Sequence, residues 1–336
     1  MTETVLVTGG AGYVGSHACK ALARAGFLPV AYDNLSRGFA QAVKWGPLER
    51  GDLLDPERLA AVFAKHRPAA VIHFAAFAYV AESVADPAAY YRNNVVGTLT
   101  LLDTMRAAGV GRLVFSSSCA TYGAAEQSPV TEETPQRPVS PYGATKLMCE
   151  RLLADYRAAY GLKSIALRYF NAGGADPEGE IGEDHDPETH LIPLAIDVAA
   201  GRRARFTILG DDYDTPDGTC VRDFVHVSDL ADAHVAALGA LHSGEPRSAY
   251  NLGGGAGVSV LEVVKAVERV VGRPVAIETG PRRPGDPPAL VADASLAARE
   301  LGWRPLRSGL ETMIRDAWTW RERRYSAAKA SGAPAV

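Results

Sequence analysis

Val5-Leu6-Val7-Thr8-Gly9-Gly10-Ala11-Gly12-Tyr13-Val14-Gly15 begins as a short apolar strand pattern and runs straight into spaced glycines. A helical pattern from Ser16 through Arg24 follows. Between a strand and a helix, Gly9, Gly12 and Gly15 permit a tight turn, close approach of a pyrophosphate to the backbone, and close helix packing. A second strand pattern, Pro29-Val30-Ala31-Tyr32, ends in Asp33. A carboxylate there accepts hydrogen bonds from the adenosine ribose and repels a 2′-phosphate, so NAD is expected over NADP. Arg37, which could accommodate that phosphate, is read as a solvated loop charge.

Working outward, strand and helix patterns alternate through Ala69-Ala70-Val71-Ile72-His73-Phe74, a helix from Asn94 to Ala108, and Arg112-Leu113-Val114-Phe115. Repeated βα units imply a parallel sheet. The expected fold class is α/β: a doubly wound parallel sheet (Rossmann) with a smaller mixed α/β substrate domain. Gly9, Asp33, Phe74-Ala75-Ala76 and Ser116-Ser117-Ser118 all fall at strand carboxyl ends, which meet at one crevice. His73 reads as a packed strand residue. After Tyr169-Phe170-Asn171 the texture changes, and the irregular segment from Gly173 to Pro187 has the length of a functional loop. Residues 1–170, with a returning strand near 248–253, are expected to form the nucleotide-binding domain. Residues 171–325 are expected to be mainly substrate domain, and 326–336 a flexible tail.

The chemistry-bearing segment is Ser140-Pro141-Tyr142-Gly143-Ala144-Thr145-Lys146. It reads as a helix start, with Ser140 as cap, Pro141 at the first helical position, and Gly161 as the stop. Spacing i, i+4 places Tyr142 and Lys146 on one face. An ammonium that close favours the phenolate, so Tyr142 is expected to act as a base near neutral pH, well below its ordinary pKa of about 10. Tyrosine and lysine at this spacing are common on helices. The glycine turn and the strand-end Ser118 are what make the pair read as a hydride-transfer site.

Composition agrees. The chain has 336 residues, 47% of them hydrophobic, and a net charge of -4, so no nucleic-acid or membrane surface is expected. No run approaches the ~18 apolar residues of a membrane span. The first strand comes too early for a signal peptide, so a cytoplasmic location is expected. Cys19, Cys119, Cys149 and Cys220 are scattered without ligand or redox spacing, and no metal site is expected.

Together these residues resemble the extended short-chain dehydrogenase/reductase family, and within it the UDP-glucose 4-epimerases (UDP-galactose 4-epimerases), from about Val5 to Arg321. The resemblance is carried by Thr8 to His17, Tyr32-Asp33-Asn34-Leu35, Ser116 to Gly123, Ser140-Pro141-Tyr142-Gly143 and Leu167-Arg168-Tyr169-Phe170-Asn171. It extends to Asp217 through Asp223 and to Pro281-Arg282-Arg283-Pro284-Gly285-Asp286. It implies that Gly9, Gly12, Tyr13, Val14, Gly15, Asp33, Asn34, Asp52, Leu53, Phe74, Ala75, Asn93, Tyr142, Lys146 and Phe170 hold NAD. It implies that Ser118, Tyr142, Asn171, His190, Leu191, Arg222, Leu290, Arg283 and Asp286 hold a UDP-sugar. Tyr142, Lys146 and Ser118 are then catalytic: Tyr142 takes the O4 proton while NAD accepts and returns the C4 hydride through a 4-keto intermediate. The resemblance also implies a homodimer built from the helices Asn94 to Ala108 and Tyr142 to Tyr160, with Leu99, Leu102 and Met105 as the apolar stripe.

Departures from the family leave the sugar open. Phe74-Ala75-Ala76-Phe77-Ala78-Tyr79 lacks a lysine that many relatives carry there, and it resembles the branch acting on UDP-arabinose (UDP-xylose). His190 stands where relatives have asparagine, and Leu290 where glucose-restricted relatives have a tyrosine, so UDP-N-acetylglucosamine is a further alternative. Net nucleotide-sugar dehydrogenation is the other reading. A 4,6-dehydratase needs an acidic pair where Cys119 and Ala120 stand, and a non-enzymatic NAD sensor has no need of Ser118, Tyr142 and Lys146 in register.

Overall fold

Val5, Leu6 and Val7 are fully buried, as in a parallel sheet covered by helices on both faces. The computed structural model describes residues 2–244, 246–283 and 286–331. The first strand, β1 (Thr4–Thr8), is followed by α1 (Tyr13–Arg24), β2 (Leu28–Asp33), β3 (Leu48–Arg50), α2 (Pro56–His66) and β4 (Ala70–His73). Two short helices come next, α3 (Val80–Ala85) and α4 (Pro87–Tyr90), then a π-helical turn over Tyr91–Val96 that leads into α5 (Gly97–Ala107). β5 (Arg112–Ser118), α6 (Pro141–Tyr160) and β6 (Lys163–Tyr169) complete the first half. The second half begins with β7 (Asn171–Gly173), α7 (Leu191–Ala199), β8 (Phe206–Leu209), β9 (Val221–His226), α8 (Val227–Ser243) and β10 (Ala249–Leu252). It ends with β11 (Gly257–Ser259), α9 (Val260–Val271), β12 (Ile277–Gly280), β13 (Ala289–Leu290), α10 (Ser295–Glu300) and α11 (Leu310–Ser331).

The main sheet has the order β3-β2-β1-β4-β5-β6-β10, and every neighbouring pair is parallel. This is the doubly wound arrangement: strand order reverses between β1 and β4, which opens a crevice at their carboxyl ends. Alternate residues serve opposite faces. Val5 and Val7 pack with Leu22 of α1 and with Leu230, Ala237 and Leu241 of α8. Leu6 packs with Leu59 of α2, with Leu101, Leu102 and Met105 of α5, and with Leu153 of α6. The stripe expected at a dimer interface is therefore divided. Leu102 and Met105 are buried in the core, whereas Leu99 is 39% exposed, because the apolar arc of α5 is used to cover the sheet.

A smaller unit holds the four-stranded sheet of β7, β9, β11 and β13 and the parallel pair β8 and β12. Ile192 and Ile196 of α7, Val263 and Val267 of α9, and Ile314 of α11 form its core. The chain returns to the main sheet with more than the strand near 248–253. α8 packs along α1, and Leu296, Ala297 and Trp303 also join the main core. α11 continues helically through Ser331, past the point where a flexible tail was expected, and its alanine-rich end suits a helix. Residues 332–336 of that expected tail lie outside the described residues.

One buried ion pair joins α6 to β6. Arg168 Nη2 lies 2.6 Å from Glu150 Oε2, with the two side chains 9% and 10% exposed. Arg168 Nη1 also donates to the Tyr122 hydroxyl at 2.9 Å, and that hydroxyl donates to Asn251 Oδ1 at 2.7 Å. Removing one partner strands a buried charge, which typically costs about 3–5 kcal/mol. Glu150→Leu should lower unfolding free energy by about that amount in urea titrations, and an unchanged denaturation midpoint would contradict the assignment.

Candidate active site

The crevice is built first by what the glycines leave out. Gly9 adopts φ 73°, open to glycine at no steric cost. A Cβ on Gly15 would stand 2.1 Å from the Gly9 carbonyl oxygen, and one on Gly9 would stand 2.6 Å from the Ala75 nitrogen. The glycine turn is thus wedged against the end of β4, where the N–H groups of Phe74 and Ala75 both donate to the Thr8 carbonyl, at 2.9 and 3.1 Å. Gly12 is the N-cap of α1 and supplies no side-chain cap, so among the described residues the helix's first N–H groups are left open to an anion.

Asp33, at the end of β2, accepts from the N–H of Ala11 at 3.0 Å and of Leu35 at 2.8 Å. Burial raises its pKa, against the pull of those two backbone donors. Asn34 donates to Asp52 at 2.8 Å, and Asp52 also accepts from the Leu54 N–H at 2.9 Å, which brings the expected adenosine-side residues together. Turn, helix N-terminus and carboxylate fit a dinucleotide. Arg37 is not the solvated charge expected from sequence. It pairs with Glu82 and lies 4.8 Å from the ring centres of both Phe77 and Tyr79, so packing and pairing have claimed it. His73 is packed as expected, between Thr8 at 2.6 Å and Thr98 at 3.0 Å, and burial holds its pKa near 3.

Ser118 ends β5 and Tyr142 is the second residue of α6, so both reach the crevice from adjoining elements. Ser140 caps α6 by accepting from the Gly143 N–H at 3.2 Å, and Gly161 ends the helix at φ 71°. Gly143 is needed here, since a Cβ would lie 2.4 Å from the Ala120 carbonyl oxygen in the turn after Ser118. Helix start and strand end meet through backbone.

Electrostatics correct the sequence expectation for Tyr142. Burial pushes its phenol well up, and the neighbouring Tyr169 adds to this, while the hydrogen bond with Ser118 opposes it. Lys146 Nζ lies 5.9 Å from the Tyr142 ring centre and donates to the Ser116 carbonyl at 2.7 Å. Its own ammonium is brought down to about 8 by burial. Desolvation therefore outweighs one cation on the same helix face.

Asn94 was not singled out from sequence, although Asn93 was. It sits in the π-helical turn before α5, buried, donating to Thr145 Oγ1 at 3.0 Å and the Phe77 carbonyl at 3.0 Å. Its Oδ1 accepts from the Phe77 N–H at 2.8 Å and from Asn93 at 2.9 Å. It locks α6, between Tyr142 and Lys146, to the loop after β4. π-turns recur at functional sites, but a single sequence carries no signal for one.

On the other side of the crevice, Asn171 donates to the Asp223 carbonyl at 2.8 Å. Arg222 donates to the Val221 and Pro287 carbonyls, both at 2.9 Å. Asp286 lies 3.6 Å from Arg222 and 3.9 Å from Arg283. Pro284 and Gly285 of that motif lie outside the described residues. Leu290, 8% exposed, packs with Tyr122, Val130, Phe170 and Ala292. His190 is the N-cap residue of α7 and Leu191 its first residue. The glycine turn faces the strap before α7 across a cleft lined by Gly12, Tyr13, Arg37, Ile181, Asp184 and His185.

Residues 5–253 match the NAD dependent epimerase/dehydratase family. The chain belongs to that family. A UDP-glucose 4-epimerase of Rhizobium meliloti (strain 1021) is 55% identical over 322 residues, covering 96% of this chain and 98% of the relative. A crystal structure of UDP-glucose 4-epimerase from Brucella ovis in complex with NAD superposes with a TM-score of 0.92 at 55% identity, covering 95% of this chain and 98% of that one. The UDP-Glc/GlcNAc 4-epimerase of Campylobacter jejuni is 39% identical with a TM-score of 0.84, covering 96% and 99%. Among the described residues no helix is long and apolar enough to cross a membrane. In this NAD dependent family member a Cβ at Gly15 would stand 2.1 Å from the Gly9 carbonyl oxygen and force the β1–α1 turn apart, so Gly15→Ala should yield folded protein stripped of NAD. Released nucleotide measured after denaturation checks this, and a full NAD complement in the variant would contradict it.

Proposed function

We propose that the chain interconverts UDP-glucose and UDP-galactose by inverting the sugar at C4. The observation that carries this reading is the convergence of Ser118, Tyr142 and Lys146 beside a dinucleotide turn, with Arg222, Arg283 and Asp286 across the crevice. Bound NAD supplies a two-way hydride carrier and, in its cationic ring, the positive charge that brings the buried phenol within reach of ionisation. Tyr142 takes the proton from sugar O4 and returns it to O4 after the 4-keto sugar has turned its other face. Ser118 hydrogen-bonds O4 and relays that proton. Lys146, held by the Ser116 carbonyl, positions the nicotinamide ribose and keeps positive charge near the phenol. Asn34, Asp33, Asp52, Leu53 and Asn93 hold the rest of the cofactor, with Phe74, Ala75 and Phe170 as its apolar walls. Arg222 and Arg283 grip the diphosphate, as guanidinium forks do. Asn171 and Leu191 hold the nucleoside end while the sugar turns over, whereas the His190 side chain is engaged by Glu183 and Glu188. A carrier that would take up the hydride and hand it back leaves no net oxidation of the sugar.

We place the enzyme in the cytoplasm. Its second copy is assigned to the face where α5 and α6 run side by side, with Val96, Leu99, Met148 and Tyr160 exposed there. Light scattering at micromolar concentration should give twice the chain mass, and a monomer would refute the assignment.

Tyr142→Phe should lower kcat by about 10²–10⁴-fold while NAD stays bound, because it removes the proton carrier and keeps the ribose contact. Near-normal turnover would overturn the role. Lys146→Ala should lose both rate and NAD retention.

Leu290 forms a small apolar wall, and we assign it the limit on substituents at sugar C2. Weaker epimerisation of UDP-N-acetylglucosamine is expected beside the UDP-glucose activity, since such a pocket discriminates by only about 1–3 kcal/mol per group. Leu290→Tyr should suppress the N-acetyl activity selectively in paired assays. Equal losses on both sugars would show that another residue sets the limit.

A further inference from the structure

Outside the catalytic residues, the strap between β7 and α7 gathers Glu183, His185, Glu188 and His190. From sequence no metal was expected, a reading made on the scattered cysteines alone. The fold nevertheless brings one ligand-capable atom of each within 4.8 Å of all the others. His190 Nδ1 lies 2.8 Å from Glu183 Oε1 and 3.2 Å from Glu188 Oε1. His185 Nδ1 lies 3.1 Å from Glu183 Oε1 and 3.9 Å from Glu188 Oε1. The two imidazole rings are 4.9 Å apart.

These distances fall around the edge length of a tetrahedral zinc site. Bonds of about 2.0–2.2 Å to nitrogen and oxygen separate neighbouring ligands by roughly 3.3–3.6 Å. Two carboxylates match a divalent cation in charge once the metal has displaced the protons on the imidazoles, and the ligand types suit zinc. A second observation is independent of those distances. Glu188 Oε2 is buried and has no hydrogen-bond partner, its side chain is 10% exposed, and its nearest cation is Arg321 at 3.7 Å. The Arg321 guanidinium pairs with this oxygen from beyond hydrogen-bond reach, so the buried oxygen remains incompletely satisfied.

The geometry points to a structural divalent-metal site, zinc by preference, formed by Glu183, His185, Glu188 and His190. All four positions are taken by protein, which makes it a closed site. It would tie the strap into a rigid loop at the start of α7. Tyr79 contacts it from the loop after β4, its ring centre 5.8 Å from His185 and 6.0 Å from His190. Tyr13 of the glycine turn lies 6.2 Å from His185 and donates to the Gly174 carbonyl at 2.6 Å. The metal would therefore brace the strap where it crosses the cofactor crevice.

The test uses full-length enzyme as purified with NAD, stripped with a chelator and then dialysed against zinc or cobalt(II). Elemental analysis should find about one zinc per chain, and the cobalt form should show the intense visible bands of a tetrahedral centre. Thermal midpoint should rise with zinc concentration. Glu183→Gln keeps a hydrogen-bonding side chain while removing the charge, and His185→Gln removes one imidazole. Each should lose the metal and the zinc-dependent midpoint shift while retaining NAD. If a variant does not fold, the cobalt spectrum of the unaltered enzyme decides. Below about a tenth of an equivalent of zinc with no tetrahedral cobalt spectrum, or undiminished binding in both folded variants, overturns the site and leaves paired histidines and glutamates sharing protons.

Discussion

Two backbone segments can approach closely only where neither carries a Cβ, and the crevice depends on that constraint. At the β1–α1 turn it lets Gly15 sit against the Gly9 carbonyl, and Gly9 against the end of β4. The same constraint acts at the start of α6, where Gly143 meets the Ala120 carbonyl and so brings Tyr142 beside Ser118. The parallel sheet supplies the frame, since all its strands deliver their carboxyl ends to one side. Steric absence then sets how near the glycine turn, the end of β4 and the start of α6 come to one another.

Burial is the second organising force, and it works against the chemistry. It raises the Tyr142 phenol and lowers the Lys146 ammonium, so each group leans toward its neutral form. A buried phenol beside a weakened cation is a quiet pair, and on the proposed reading it would act as a base only once further positive charge is bound beside it.

Much of this was legible in the chain because it is local. The strand, glycine turn and helix from Val5 to Arg24 are adjacent in sequence, as are the cap Ser140, Pro141 and the Tyr142 to Lys146 turn. What escaped depends on contacts distant in sequence. Arg37 was claimed by Glu82 and two aromatic rings, Met105 and Leu102 were drawn into the core, and Asn94 gained its place from a π-turn. The cluster at Glu183 to His190 has no helical or strand period, so its convergence is visible only after the strap folds. The second-half organisation was hidden for the same reason: α8 and α10 carry amphipathic patterns that do not say which sheet they cover.

The path of that second half bears on motion. The chain leaves the main sheet after β6, returns with α8 and β10, leaves again through β11 to β13, and returns with α10 before ending on the smaller unit with α11. Rigid-body hinges work through few connecting strands, and a structure stitched by repeated crossings would need several of them to bend in concert. A body stitched in this way resists hinging between its two units, and any opening of the crevice would have to come from the loops at its rim.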